Sequence, residues 1–231
     1  MIHLARAKGR RKQVEKLLFG SPFRARILDA VDGSKVPVAQ RTSGISKASL
    51  FTPAYPFALN GGEYGCFQSH RAAWQTIVDE GLDAALILED DVALTDDFSA
   101  AVALAIEHIS AFGYVQFQVR AVDESNEVVQ SGKTAIVRPR VTPLRTSAQL
   151  VSRAAAQSLL EMTAQIDRPV DTFLQSHWHT GIHVACVVPS GVEDRTQETG
   201  GSTISARRSI WSKIKREFQR NRYRRAVQRL S

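Results

Sequence analysis

The sequence predicts an α/β fold in which a mostly parallel central sheet is flanked by helices. Segments with strand-like and helix-like hydrophobic periodicity alternate along the chain. The short apolar run AALIL at residues 84–88 is also typical of a strand that is buried on both faces, as the strands of parallel sheets are. The length of 231 residues suits one large domain.

The first quarter of the chain predicts two strands, a helix and a long loop. Residues 1–4 form the first predicted strand, and a basic segment then leads into an amphipathic helix over residues 10–19. A second strand is predicted at residues 24–30 and is followed by an Asp-Gly turn signal. Residues 34–58 are irregular, and a loop of that length in a compact domain is usually a binding loop or a lid.

The rest of the body continues the alternation of helices and strands. Asn60 opens a helix that runs to about residue 80, and Gly81 ends it. After the strand at residues 84–88, Thr95 is predicted to cap a helix that ends near residue 112. The remaining predicted elements are strands at residues 114–119, 135–141 and 182–188, a helix over 153–165, and a short helix near 171.

Three consecutive carboxylates, Glu89-Asp90-Asp91, directly follow the buried strand. Like charges at the edge of an apolar core repel each other, and a divalent cation between them relieves that repulsion. Mn²⁺ and Mg²⁺ prefer oxygen ligands and often bind one or two carboxylates together with the phosphates of a substrate. The triplet therefore predicts a Mn²⁺ or Mg²⁺ site at the end of the strand. A solvated acidic turn next to a helix is the alternative.

Five motifs follow one another along the chain: Ile2-His3-Leu4 with Arg10, Ala30-Val31-Asp32-Gly33, the stretch from Gly62 to His70 (GEYGCFQSH), the stretch from Ile87 to Val92 (ILEDDV), and the stretch from Pro169 to Leu174 (PVDTFL). In this order and spacing they resemble glycosyltransferase family 25, which includes bacterial lipooligosaccharide galactosyl- and glucosyltransferases and collagen galactosyltransferases. The resemblance covers roughly residues 1–190. The sequence departs from the family pattern at His3, where Asn is usual, and at residues 147–149, where a Gly-Tyr pair is common.

The resemblance implies a GT-A architecture and an inverting transfer of galactose or glucose from a UDP-sugar donor. The implied acceptor is a saccharide or a lipid-linked saccharide, such as the lipopolysaccharide or lipooligosaccharide core. In the family's acidic motif Asp91 is the direct metal ligand, and Glu89 or Asp90 contacts the ribose or a metal-bound water. Glu89 and Asp91 point to the same side of an extended backbone, because side chains alternate with period two.

The chemistry of the transfer and the same resemblance predict further site residues. An inverting transferase needs a carboxylate that deprotonates the acceptor hydroxyl, and Asp171 is the predicted base, with an N-cap aspartate as the alternative. His183 is the third predicted metal ligand after Asp91 and Glu89, and a satisfied core or surface histidine is the alternative. The predicted donor-binding side chains are Arg10, Asp32, Glu63, Ser69, His70, Glu89 and Asp90. The alternatives are a solvated helix face for Arg10, helix capping for Glu63, and packing or helix capping for His70.

The net charge of +7 is concentrated at the C-terminal end. Residues 206–231 contain ten Lys or Arg and one acidic residue, whereas residues 1–205 contain 20 basic and 22 acidic residues. A nearly neutral body argues against a nucleic-acid-binding domain, and we expect no nucleic-acid partner. We therefore divide the chain into a GT-A domain at residues 1–205 and a basic amphipathic tail at residues 206–231. The tail is predicted to bind anionic membrane through an apolar face that includes Trp211, Ile214, Tyr223 and Val227, with its Lys and Arg side chains on the headgroups. A disordered tail and a nucleic-acid arm are the alternatives.

The sequence shows neither a run of about 18 apolar residues nor a signal-peptide pattern. We therefore expect a cytoplasmic protein, peripheral at the inner face of the bacterial cytoplasmic membrane, with Cys66 and Cys186 reduced.

Two other function classes stay open. A metal-dependent nucleotidyltransferase uses similar carboxylates but normally has a glycine- and lysine-rich phosphate loop, where this chain has only Gly9. A non-catalytic, membrane-tethered binding protein predicts no cation-dependent binding of nucleotides.

Overall fold

The computed structural model describes residues 1–122, 125–196 and 210–231, and the side chains of these residues except 125 and 210–215. The strands are β1 (Ile2–His3), β2 (Leu28–Asp29), β3 (Ala84–Leu88), β4 (Val92–Leu94), β5 (Tyr114–Gln116), β6 (Ser125–Ser131), β7 (Thr134–Pro139), β8 (Ala148–Ser152), β9 (Ala185–Val188) and β10 (Val192–Asp194). The helices are α1 (Arg11–Gly20), α2 (Val38–Gly44), α3 (Gly61–Asp79), α4 (Phe98–Phe112), α5 (Arg153–Met162), α6 (Val170–Leu174), α7 (His177–Thr180) and α8 (Ile210–Leu230), with a 3-10 turn at Lys8–Arg10.

The central sheet of the described residues is mixed, with six strands in the order β3-β8-β5-β9-β7-β6. Only β5 and β9 pair in parallel within it. The other four pairs are antiparallel. The short strands β1 and β2 pair in parallel, and Ile2 of β1 forms a parallel bridge with Glu89, just beyond β3. The expected α/β class is confirmed, whereas the expectation of a mostly parallel sheet is wrong.

The error in strand direction comes from β8. This strand lies between β3 and β5 and runs antiparallel to both. All five of its residues are buried, so it lacks the polar-apolar alternation that identifies a half-exposed strand, and its sequence predicts only the lead-in to α5. A continuous apolar run such as that of β3 gives the same pattern whether its neighbour is parallel or antiparallel, so β3 gave no signal of the direction of β8. In the structure β3 is an edge strand, and three of its five residues are only half-buried.

Helices cover both faces of the sheet. On one face, α3 and α5 bury Phe67, Trp74 and Leu159 in a core that continues to α6. On the other face, α4 packs Val102 and its neighbours against the strands, together with part of α1. The predicted helices over residues 10–19 and 60–80 are confirmed as α1 and α3. The helix α4 begins later than predicted, because its N-cap residue is Asp97 rather than Thr95. The Asp97 side chain accepts no capping hydrogen bond.

The predicted loop at residues 34–58 contains the short helix α2, which the prediction missed, and a fully buried arginine anchors its second half. Arg168 makes a bidentate ion pair with Asp167, with N–O distances of 2.8 and 2.9 Å. It also donates to the carbonyl oxygens of Phe51 and Pro53 at 3.0 and 3.3 Å. The guanidinium lies 3.5 Å from the centroid of the Phe51 ring. One side chain therefore ties the loop to the segment before α6.

The C-terminal helix α8 packs on the body of the protein. Tyr223 and Val227 are buried, and the Tyr223 hydroxyl accepts a hydrogen bond of 3.1 Å from Arg168. The prediction assigned these residues to an apolar stripe that faces lipid, so that part of it is wrong: they contact protein. Trp211 and Ile214, the other predicted anchors, lie outside the residues whose side chains are described. Within the described residues, no helix is long and apolar enough to cross a bilayer.

We predict that Arg168→Ala lowers the free energy of unfolding by about 3 kcal/mol, because it leaves the carboxylate of Asp167 buried without its ion-pair partner. Urea denaturation at neutral pH measures the change.

Arg220→Ala is the matched control, since Arg220 pairs with Glu217 on the exposed side of α8 at 2.6 Å. Exposed pairs contribute little, so we expect a change below about 0.5 kcal/mol. Equal losses in the two variants would contradict the role given to Arg168.

Candidate active site

A cleft of about 500 Å³ opens where β1, the N-terminal half of α3 and the end of β3 meet the segments at residues 144–147 and 169–172. It brings together nine of the side chains predicted from the sequence: Arg10, Asp32, Glu63, Ser69, His70, Glu89, Asp90, Asp91 and Asp171. The close approach of α3 depends on glycine, because a Cβ on Gly65 would lie 2.4 Å from the carbonyl oxygen of Val31. The cleft therefore forms at the edge of the sheet where β3 ends.

The three acidic residues after β3 have separate environments. Asp90 is buried, and its two carboxylate oxygens accept hydrogen bonds from His3 Nδ1 at 2.7 Å and from Arg10 at 2.6 Å. The backbone N–H of Leu4 adds a longer contact of 3.4 Å. Asp90 thus holds β1 and the following turn against the end of β3. Because its oxygens are engaged inside the protein, Glu89 and Asp91 are the members of the triplet that can serve a ligand.

Glu89 is oriented by a buried chain of hydrogen bonds. Its Oε1 lies 2.9 Å from His70 Nε2 and accepts a bond from the Thr146 hydroxyl at 3.1 Å. The Gln149 amide nitrogen lies 2.9 Å from His70 Nδ1 and 3.2 Å from the Thr146 carbonyl oxygen. Since the amide donates to Nδ1, the proton of the neutral imidazole is on Nε2 and points at Glu89. Burial favours the neutral carboxyl, but the hydrogen bonds from His70 and Thr146 and the electrostatic attraction of His70 together outweigh it and lower the pKa of Glu89.

Asp91 is the carboxyl group of the triplet whose ionised form the surroundings disfavour. Burial and the negative charge of Glu89 raise the pKa of Asp91 to about 6, although Arg10 opposes the shift. Arg10 lies 3.3 Å from Asp91 Oδ2, and the Thr196 hydroxyl donates to the same oxygen at 3.2 Å. The ionised form of Asp91 is thus unfavourable in the protein alone.

The residues present fit a hard divalent cation. Glu89 and Asp91 line the same cleft with carboxylate oxygens, which Mn²⁺ and Mg²⁺ prefer. A positive ion beside Asp91 would also favour the ionised carboxylate, whose pKa is raised by burial and by Glu89. His183 does not lie with these ligands: its Nε2 is 2.9 Å from the Pro139 carbonyl oxygen, and its ring stacks on His177. The expectation of His183 as third ligand is corrected, since His183 is not among the residues that line the cleft.

Asp171 lies in the first turn of α6, on the side of the cleft formed by residues 169–172. Its Oδ1 accepts a bond of 2.7 Å from the backbone N–H of Thr172, and Oδ2 accepts a longer one of 3.3 Å from the N–H of Arg145. Burial raises the pKa of Asp171, although these bonds oppose the shift. The N-cap residue of α6 is Pro169, so the alternative of an N-cap aspartate is not what the structure shows.

Other predicted residues support the walls of the cleft. The Ser69 hydroxyl accepts a bond from the Val31 N–H at 2.8 Å and donates to the Gly65 carbonyl oxygen at 2.7 Å. Glu63 and Asn60 form a reciprocal capping box at the start of α3. Asp32 pairs with Arg6 at 2.8 Å. These contacts fix the backbone of the cleft.

Sequence reasoning missed Arg145 and Thr196. Arg145 has a φ of 92°, the one positive φ of a non-glycine residue in the described part of the chain. Its guanidinium pairs with Asp194 at 2.6 Å, and Asp194 also accepts a bond from the Thr196 hydroxyl. Neither residue stands in a recognisable motif, and a strained backbone of this kind leaves no pattern in a single sequence.

Most of the chain matches one known protein family. Residues 1–174 match the model of glycosyltransferase family 25, described as an LPS biosynthesis protein. The chain belongs to glycosyltransferase family 25. The match includes Glu89, Asp90, Asp91 and Asp171, and it ends before Asp194 and Thr196. All nine predicted side chains of the cleft therefore lie within the family region, as does Arg145, which sequence reasoning missed.

The relatives of this chain include two galactosyltransferases and one protein that is named as inactive. A Bos taurus protein, "Probable inactive glycosyltransferase 25 family member 3", is 29% identical over 181 residues, covering 75% of this chain and 30% of the relative. Procollagen galactosyltransferase 2 of Homo sapiens is 35% identical over 104 residues, 42% of this chain and 16% of the relative. Procollagen galactosyltransferase 1 of Danio rerio is 36% identical over 94 residues, 40% and 16%. The chain thus spans less than a third of the length of these relatives.

We predict that Asp91→Asn stabilises the metal-free family 25 domain at neutral pH. An acid whose pKa rises on folding contributes most to stability below its unfolded pKa, near 4, and loses that contribution as the pH rises through about 6. At about pH 7.5 the wild type therefore bears the unfavourable charge, and the variant gains about 3 kcal/mol, falling to about half of that near pH 5. Denaturant unfolding in a chelator measures both values.

Asp194→Asn is the control of opposite sign. Burial alone would raise the pKa of Asp194, but hydrogen bonds from Thr196 and the charge of Arg145 lower it. Its ionised form therefore stabilises the fold, and the amide should destabilise the protein at neutral pH. A loss of stability in Asp91→Asn would contradict the strain assigned to Asp91.

Proposed function

We propose that this domain is an inverting glycosyltransferase that moves galactose or glucose from a UDP-sugar to a saccharide acceptor. The observation that carries the proposal is one cleft lined by Glu89, Asp91 and, on another wall, Asp171. Family membership and the two procollagen galactosyltransferases support transfer of a hexose. The family description supports a lipopolysaccharide or lipooligosaccharide core as acceptor. Because another relative is named as inactive, the carboxylates in the cleft are the main support for activity.

In the proposed donor site, Glu89 and Asp91 hold Mn²⁺ or Mg²⁺. When bound, the cation neutralises the charge that develops on the diphosphate leaving group. Arg10 keeps the neighbouring Asp90 paired, so that its charge does not add to that of Glu89 and Asp91. Arg145 lines the same cleft, and its guanidinium pairs with Asp194 at 2.6 Å. A GT-A architecture is part of this proposal, and the acidic triplet at the end of β3 supports it.

Asp171 is the proposed general base. Its Oδ1 accepts two hydrogen bonds from Thr172, whereas Oδ2 accepts only the long bond from the Arg145 N–H among the described residues. Oδ2 is therefore the atom suited to take the proton of the acceptor hydroxyl. The acceptor oxygen then bonds to the anomeric carbon while its bond to the diphosphate breaks. A raised pKa strengthens Asp171 as a base near neutral pH.

A metal-dependent nucleotidyltransferase is the weaker alternative. Such an enzyme would use the loop after β1 to cradle phosphates, but Arg10 in this loop is committed to Asp90 at 2.6 Å. A non-catalytic binding protein is the other alternative, and the same experiment decides among the three.

We expect the full chain with Mn²⁺ to hydrolyse one UDP-hexose in a panel of nucleotide sugars, because water can replace the acceptor. Asp171→Asn should lower kcat about 10²- to 10³-fold, since it removes the base. Release of UDP measures the rate, and a chelator should abolish it.

Thermal shifts provide the control for this experiment. Asp171→Asn should retain stabilisation by UDP with Mn²⁺, whereas Asp91→Asn should lose it. A preference for ATP or CTP would favour the nucleotidyltransferase. If no nucleotide stabilised the wild type in the presence of a cation, the proposed enzyme would be wrong.

We also propose that α8 holds the domain at the inner face of the cytoplasmic membrane. Phe218, Arg222, Arg225 and Arg229 are exposed and share one face of the helix, opposite the buried Tyr223. This face offers positive charge and one exposed aromatic ring to anionic headgroups.

Replacing Arg222, Arg225 and Arg229 together by Gln should weaken binding to phosphatidylglycerol vesicles about 100-fold, at about 1 kcal/mol for each basic residue. Vesicle sedimentation at low and high salt measures the change, and salt should abolish wild-type binding. The control removes the same charge from the exposed positions Arg11, Lys12 and Lys16 of α1. Equal losses in both variants would contradict a specific role for α8.

A further inference from the structure

The floor of the cleft contains a second set of metal-ligating atoms. Cys66 and His70 lie one turn apart on α3, and Glu89 approaches them from the end of β3. The thiol, imidazole and carboxylate ligand atoms all lie within 4.8 Å of one another. In the described part of the chain no other group of three His, Cys, Asp or Glu side chains has this arrangement.

We propose that Cys66, His70 and Glu89 form a binding site for a thiophilic divalent cation, of which Zn²⁺ is the representative. Sulfur, nitrogen and oxygen from three side chains are a common ligand set for zinc, with the fourth position left to water or a ligand. Mn²⁺ and Mg²⁺ avoid thiolates, so this set would not select the cation that Glu89 and Asp91 suit.

The geometry requires small movements. In a tetrahedral zinc site, ligand atoms lie roughly 3.3–3.6 Å apart, given bonds of about 2.0–2.3 Å. The longest gap in the present arrangement must therefore close by about 1.2 Å at most, whereas the Nε2–Oε1 pair at 2.9 Å must open slightly. Cys66 is half-buried and lines the cleft, and rotation about its χ1 angle moves the sulfur.

Binding of the metal ion releases one proton. The Cys66 thiol loses one proton to solvent as the metal–sulfur bond forms. The imidazole of His70 stays neutral while its proton moves from Nε2 to Nδ1, which frees Nε2 to ligate. Burial and the nearby carboxylates raise the pKa of the Cys66 thiol, so affinity should increase with pH.

The residue behind His70 can support this tautomer. Metal-bound histidines usually donate their other ring N–H to an acceptor. The Gln149 side-chain oxygen is a buried acceptor that has no hydrogen-bond partner among the described residues. Turning the amide over presents this oxygen to Nδ1–H, at the loss of the 3.2 Å bond to the Thr146 carbonyl. Because that bond and the His70–Glu89 bond are both given up, we expect weaker binding than in structural zinc sites.

Sharing of Glu89 gives the site a consequence for the reaction. A thiophilic ion held by Cys66 and His70 withdraws Glu89 from the proposed Mn²⁺ or Mg²⁺ site, so zinc should inhibit in competition with the activating cation. This consequence rests on the proposed function, whereas binding itself does not.

Titration of the metal-free full chain with Co²⁺ tests the site directly. The wild type should develop the near-ultraviolet absorption of a thiolate–cobalt bond at one equivalent, and Zn²⁺ but not excess Mg²⁺ should remove it. Cys66→Ala should lose this band and weaken zinc binding more than about 10-fold. Cys186→Ala is the matched control, because Cys186 is buried in β9 away from the cleft, and it should keep the band.

Alkylation of the wild type provides a measurement that does not depend on a variant. Zinc should protect Cys66 from iodoacetamide, and magnesium should not, as measured by peptide mass spectrometry. Absence of the cobalt band in the wild type, or its persistence in Cys66→Ala, would overturn the site. UDP-sugar hydrolysis without a cobalt band leaves the transferase proposal standing and the zinc site wrong. A cobalt band without hydrolysis gives the reverse result.

Discussion

The site depends on how the protein distributes three adjacent negative charges at the end of β3. Alternation along the backbone turns Asp90 inward, where Arg10 and His3 hold its two oxygens. Glu89 and Asp91 remain on the side of the cleft. Glu89 is stabilised as an anion by His70, whereas Asp91 retains a raised pKa of about 6. Glu89 is therefore stabilised as a carboxylate, whereas the ionised form of Asp91 is disfavoured, and the proposed divalent cation would stabilise that form.

The same interaction joins distant parts of the chain. Asp90 is 87 residues from His3 and 80 from Arg10 in sequence, and the parallel bridge from Ile2 to Glu89 aligns β1 beside the end of β3. The first strand is only two residues long, so its position relies on these polar contacts more than on its own ladder. One buried carboxylate consequently holds the wall of the cleft that β1 forms against the end of β3.

How much of this the sequence could reveal varies with the kind of signal. The elements α1, α3 and β3 have clear periodicity or length, and their predicted positions agree with the structure. The acidic triplet and Asp171 lie in motifs, and the fold brings them to one cleft. By contrast, β8 has no alternation, and β6, the polar edge strand with Val128 exposed, has no apolar face to detect. Pairing partners such as Gln149 for His70 depend on strand order, which local patterns do not encode.

The family region and the rest of the chain contribute different things to the cleft. Residues 1–174 supply the carboxylates, whereas Thr196 and Asp194 lie beyond that region and contact Asp91 and Arg145. The helix α8 also lies beyond it, and Tyr223 packs edge-on against Tyr55, which lines the cleft. The carboxylates of the family region thus sit against walls that come partly from residues beyond it. Since donor and acceptor selection depends on wall contacts, relatives with the same acidic motif need not share substrates or even activity.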